Sequence, residues 1–73
     1  MLKIDVHMNA GTIWILLSEK GMMSIKEIAR ITGYTEHLVL LALGWLFKEN
    51  KINFFDQDGT FYADTTYSVE YYY

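Results

Sequence analysis

The chain has no cysteine and no proline, and only five glycines in 73 residues. Without cysteine there is no disulfide framework and no thiolate zinc site, which agrees with a reducing compartment. No apolar run approaches the roughly 18 residues of a membrane span, and residues 1–8 lack the basic flank and apolar block of a signal peptide. A soluble, cytoplasmic protein is expected. A basic excess is also missing: the formal charge is -3 at pH 7, whereas an isolated nucleic-acid-binding domain usually carries positive charge to replace counterions on phosphates. The two histidines, His7 and His37, have no second histidine at helical metal-site spacing, so no metal is expected. No phosphate-binding glycine loop, nucleophile elbow or acid/base carboxylate pair is present. The sequence therefore predicts no enzyme, no catalytic residues, no cofactor and no small-molecule ligand.

Apolar surface is what the chain has in quantity. It is 52% hydrophobic and 16% aromatic, enough for a packed core and for an excess that needs covering. Seventy-three residues make one domain, 1–73, close to the size at which a lone core becomes marginal. A partner subunit is a natural remedy, and a homodimer is expected.

Local patterning predicts an α+β winged helix-turn-helix: three helices, a C-terminal β-hairpin wing and an extra N-terminal strand. Residues 2–8 alternate, with Leu2, Ile4, Val6 and Met8 apolar between Lys3, Asp5 and His7, the period of a half-buried strand. Asn9 is placed to cap a first helix over about 9–20, in which Ala10, Ile13, Leu16 and Leu17 share a face before Gly21. Trp14 on that helix is expected in the core. Ser24-Ile25-Lys26-Glu27 is a capping box, opening a second helix over about 24–32 that Gly33 ends. Thr35 then caps a third helix over about 35–50. A short helix, a tight glycine turn and a longer helix with a hydroxyl cap form the helix-turn-helix signature. Ile52, Phe54 and Phe55, then the acidic tip Asp56-Gln57-Asp58-Gly59, then Thr60 to Ala63 predict the wing at about 52–63. A tyrosine-rich tail, 64–73, alternates loosely and suits a further strand or a frayed end.

Asn9-Ala10-Gly11 with Ile13-Trp14, the Ser-x-x-Glu helix start, and Leu41-Ala42-Leu43-Gly44-Trp45-Leu46 leading into Lys51-Ile52 together resemble a family of small bacterial winged helix-turn-helix proteins of unknown function. The resemblance runs from Asn9 through the wing and implies a transcription-regulator-like protein that binds nucleic acid. Members often carry Arg-Glu-Gly where this chain has Lys48-Glu49-Asn50. Asparagine tolerates the left-handed backbone that glycine would supply, so the turn into the wing is expected to survive.

A DNA-reading helix presents Arg, Lys, Asn or Gln to base edges. With Val39, Ala42, Leu43 and Leu46 turned to the core, the third helix leaves Glu36, His37, Leu40, Leu41, Gly44, Trp45 and Lys48 outward or flanking. Only His37 and Lys48 suit DNA there. Lys26 and Arg30, one turn apart on the second helix, complete the nucleic-acid candidates, although a solvated helix face with Glu27 alongside is the better explanation of that pair. Leu40, Leu41 and Trp45 look instead like an interface, because an all-round apolar helix is normally buried on more than one side. A twofold contact between two copies would cover them, as would another protein, or the two terminal segments folded over the helix. Asp56 and Asp58 bring negative charge to the wing, which disfavours a phosphate contact. Two functions thus compete for one surface: DNA binding, and a protein-interaction module whose third helix docks a partner without binding DNA.

Overall fold

A computed structural model describes residues 6–66 of the chain. Its elements run α1 (Val6–Lys20), β1 (Met23–Ser24), α2 (Ile25–Thr32), α3 (Glu36–Lys48), β2 (Ile52–Gln57) and β3 (Thr60–Thr65). The fold is an α+β winged helix-turn-helix, with three helices over a three-stranded antiparallel sheet of order β1-β3-β2.

The helix boundaries follow from local chemistry. The capping box of α2 is formed in both directions: the Glu27 amide donates to Ser24 Oγ at 3.1 Å, and the Ser24 amide donates to Glu27 Oε1 at 2.9 Å. Two of the donors a helix start leaves unpaired are thereby satisfied. Gly33, left-handed at φ 81°, ends the helix as its amide donates to the Ala29 carbonyl at 2.8 Å. Thr35 caps α3 by accepting from the Leu38 amide at 3.1 Å. At the far end Asn50 takes φ 60°, and the Lys51 amide donates to the Leu46 carbonyl at 2.9 Å. Asparagine does here what glycine would do, turning the chain directly into β2.

The β2–β3 hairpin turns on Asp58 and Gly59, whose φ angles of 54° and 83° give the paired left-handed residues of a type I′ turn. Register is fixed from Gln57 opposite Thr60 to Ile52 opposite Thr65. The core lies between sheet and helices and contains Ala10, Ile13 and Leu17 of α1, Ile28 of α2, Val39, Ala42, Leu43 and Leu46 of α3, and Met23, Ile52 and Ala63 of the sheet. Trp14 is half-buried at its margin, its indole N–H donating to the Lys51 carbonyl at 3.3 Å.

The N-terminal strand expected over 2–8 is not what residues 6–8 form. They belong to α1, so Asn9 sits within the helix instead of capping it; residues 2–5 lie outside the described residues. The sheet explains part of the difference. β3 is central, and its second edge is taken by Met23 opposite Ala63 and Ser24 opposite Tyr62, a two-residue strand too short to show in sequence. Asp64 and Thr65, assigned by pattern to the tail, complete β3 because Asn53 and Ile52 pair with them. Residues 67–73 of the tyrosine-rich tail lie outside the described residues. No helix among the described residues is long and apolar enough to cross a membrane.

Candidate functional site

The second helix of the helix-turn-helix has two apolar faces. Val39, Ala42, Leu43 and Leu46 are buried against the domain. Turning 100° per residue, Leu41 and Gly44 then fall on the crest opposite the core, with Leu40 and Phe47 along one shoulder. Leu40, Leu41 and Phe47 remain 46%, 52% and 52% exposed. Gly44 opens the crest further, since among the described residues no atom beyond its chain neighbours and its own helix backbone lies within 4 Å of where its Cβ would stand. Charge is confined to the ends of α3, with Glu36 in the first turn and Lys48 in the last.

The hairpin continues this surface. The Phe47 and Phe54 rings meet at a centroid distance of 5.2 Å, tilted by 46°. Phe54 pairs with Ala63, and Phe61, two residues from Ala63, projects from the same face of the sheet on the diagonal. Phe61 is exposed. Phe47, Phe54 and Phe61 therefore set an aromatic surface where the third helix meets the wing, and Leu40 lies two turns back on the same shoulder of the helix. This is the side from which a winged helix would meet a duplex.

The basic candidates do not gather around that lining. Lys26 and Arg30 are both exposed, one turn apart on α2, with Glu27 between them. His37 is exposed in the first turn of α3. Lys48 is eleven residues further on, roughly 16 Å along the axis, and its ammonium lies 5.3 Å from the centre of the Trp45 ring, a cation–π arrangement. Trp45, grouped by pattern with Leu40 and Leu41, is half-buried and packs against the core on the other shoulder. In the wing, the Asp56 carboxylate accepts from the Gly59 amide at 3.1 Å. That carboxylate holds the turn, and no basic side chain stands beside Asp56 or Asp58 in the tip sequence.

Phe47 and Phe61 are additions to the residues that pattern singled out. Phe47 was within reach of sequence reasoning, since it lies seven residues from Leu40 and so on the same shoulder. Phe61 was not, because its place depends on hairpin register. An apolar groove runs between Thr12, Ile15, Leu16 and Glu19 of α1 and Ile31 and Thr32 of α2. Among the described residues no three His, Cys, Asp or Glu side chains gather closely enough to hold a metal ion. The chemistry of the α3 face is that of apolar contact, with a carboxylate at one end and an ammonium at the other.

The chain belongs to the winged helix-turn-helix domain family DUF2582, whose model matches residues 1–64. It is similar to the uncharacterized protein MJ1608 of Methanocaldococcus jannaschii, 44% identical over 45 residues that cover 59% of this chain. The match spans 64% of that protein's length, a little under two thirds. It is also similar to the solution NMR structure of protein BT2368 from Bacteroides thetaiotaomicron, with a TM-score of 0.77 and 34% identity, covering 84% of this chain and 74% of that one.

Proposed function

We propose that this winged helix-turn-helix protein is non-enzymatic and regulator-like, and that it acts as a homodimer through the outer face of α3. The observation that carries this reading is the exposed run of Leu40, Leu41, Gly44 and Phe47, on the surface where a DNA-reading helix would present hydrogen-bond donors. None of these side chains can pair with a base edge or a phosphate. Leu40, Leu41 and Phe47 are poor surface residues when left in water, and burying a leucine or phenylalanine stabilises by roughly 1.5–3 kcal/mol. A domain of this size has little stability of its own to spare, so association would strengthen fold and assembly together.

The test is molecular mass in solution by sedimentation equilibrium. The full chain should run at twice its 8.6 kDa mass, and Leu41→Glu should run as a folded monomer. A wild-type chain that stays monomeric at its highest soluble concentration would overturn the reading.

Nucleic-acid binding is the second reading. It is favoured by the family's helix-turn-helix and by Lys26 and Arg30, which are both exposed on α2 and able to touch a phosphate backbone. It predicts salt-dependent binding to mixed-sequence duplex DNA, with NMR shifts at Lys26, Arg30, His37 and Lys48. Absence of binding at low salt would end it. A dimer closed through α3 cannot also lay α3 into a major groove, so the two readings make opposite predictions for the Leu41→Glu monomer. Under the first it loses its function; under the second it still binds DNA.

A further inference from the structure

We infer that two copies of the chain join β2 to β2 edge to edge, antiparallel about Phe55, so that their three-stranded sheets continue as one. This rests on the self-association reading and adds to it a second contact, with a register, at the strand into which α3 leads.

The strand order β1-β3-β2 leaves one side of β2 unpaired among the described residues. Register decides which backbone groups stand there. A two-residue turn is closed by a hydrogen-bonded pair, here Gln57 and Thr60, and such pairs alternate with unbonded ones along an antiparallel ladder. Phe55 with Tyr62 and Asn53 with Asp64 are then bonded pairs too, and the Thr66 amide donates to the Lys51 carbonyl at 3.0 Å in the same phase. Phe54 and Asp56 therefore direct their N–H and C=O groups away from β3. Ile52 shares that direction, but it is 1% exposed and its edge is closed.

Proteins commonly blunt an open edge with proline, lysine or a bulge. From Ile52 to Gln57 there is neither proline nor lysine, and every residue faces a single partner in β3, so no bulge interrupts the strand. The face of β2 turned away from the core adds an apolar residue. Asn53, Phe55 and Gln57 share that face, and Phe55 is 41% exposed. Phe54 packs on Phe47 from the other face, so α3 does not cover Phe55.

Self-pairing has few registers, because a twofold axis relates an antiparallel strand to itself about one residue. Axes at Asn53 or Phe54 would set Phe54 or Asp56 against the closed edge of Ile52. An axis at Asp56 would put that carboxylate directly opposite its own copy, where like charges destabilise, and one at Gln57 would set Asp56 against the turn at Asp58. The axis at Phe55 meets none of these objections. Phe54 of each copy exchanges both backbone bonds with Asp56 of the other, and Phe55 faces Phe55 in the unbonded pair between them, where side chains come closest. Asn53 of each copy then faces Gln57 of the other, amide to amide. The row Asn53, Phe55, Gln57 is thus its own complement when reversed, which favours a second copy over an unrelated strand.

The experiment is amide hydrogen exchange by NMR on the full chain, above and below the concentration at which it associates, with mass checked by sedimentation equilibrium. In the dimer the Phe54 and Asp56 amides should exchange about tenfold more slowly than in the monomer, while the Asn53 and Phe55 amides, already bonded to β3, should change less. Isotope-filtered spectra of a dimer mixed from labelled and unlabelled chains should show the Phe55 Hα of one copy against that of the other. Phe55→Lys sets two like charges face to face at the axis and should weaken association about tenfold, less in high salt, with the circular dichroism of the monomer unchanged. A dimer whose Phe54 and Asp56 amides exchange freely, or that withstands Phe55→Lys, overturns the edge contact and leaves self-association through α3 standing. A Leu41→Glu variant that stays dimeric with both amides protected supports the edge and removes α3 from the interface. A monomeric wild type removes both.

Discussion

The two helices of the helix-turn-helix begin in the same way and present opposite surfaces. Each opens on a hydroxyl cap, Ser24 for α2 and Thr35 for α3. Yet α2 buries one residue fully, Ile28, and turns Lys26, Glu27 and Arg30 to solvent with a single large apolar residue, Ile31, whereas α3 buries four and still exposes Leu40, Leu41 and Phe47. Capping chemistry decides where a helix starts and says nothing about what its free face does. The motif is therefore shared with DNA readers, while the surface that would read DNA is largely apolar.

The contrast between the inner and outer faces of α3 can be broken most forcefully at neighbouring leucines. Leu43 is fully buried, and Leu43→Ala should cost about 3 kcal/mol of unfolding free energy through lost transfer and the cavity left behind. That is a large share of the stability of so small a domain. Leu41→Ala, measured at concentrations below those at which the chain associates, should change it by no more than about 0.5 kcal/mol, as exposed substitutions usually do. Urea unfolding curves compare the two. Equal costs would mean that Leu41 is already covered within the chain.

A smaller effect sharpens the comparison of the helix starts. Ser24→Ala removes one bond of the capping box and leaves Glu27 to accept from the Ser24-position amide alone. It should cost about 1 kcal/mol in thermal or urea unfolding. Thr35→Ala, which removes a single cap bond to the Leu38 amide, should cost no more than that. A larger loss at Thr35 would show that the start of α3 is under tertiary load that the start of α2 does not carry.

Most of the helical architecture is legible in the sequence because its signals are short-range. Ser24 and Glu27 are three residues apart, and Gly33 and Asn50 act on the turn beside them. The parts that were not legible depend on distant partners. β1 is two residues long and exists because Met23 and Ser24 meet Ala63 and Tyr62 some forty residues away. The alternation over residues 2–8 has the period of a strand, but residues 6–8 are helical. The candidate site divides in the same way. Leu40 and Leu41 follow from helical period, Phe61 needs the hairpin register, and Trp45 is drawn into the core margin although the period left it on a flank.

The smallest expected stability change is at the pair of residues that best separates the two functional readings. Lys26→Ala with Arg30→Ala removes two exposed cations from α2 and should alter unfolding free energy by less than about 0.5 kcal/mol. Its effect on DNA, by contrast, should be plain if α2 lies along a phosphate backbone. Each lost phosphate contact removes about one released counterion, so the slope of log affinity against log salt should fall by nearly 2. Duplex titrations at several salt concentrations measure that slope. If the wild-type slope is already near zero, or the double variant leaves it unchanged, α2 is a solvated helix face. The nucleic-acid reading then loses the basic pair that favours it, and self-association through α3 is left as the proposal to test.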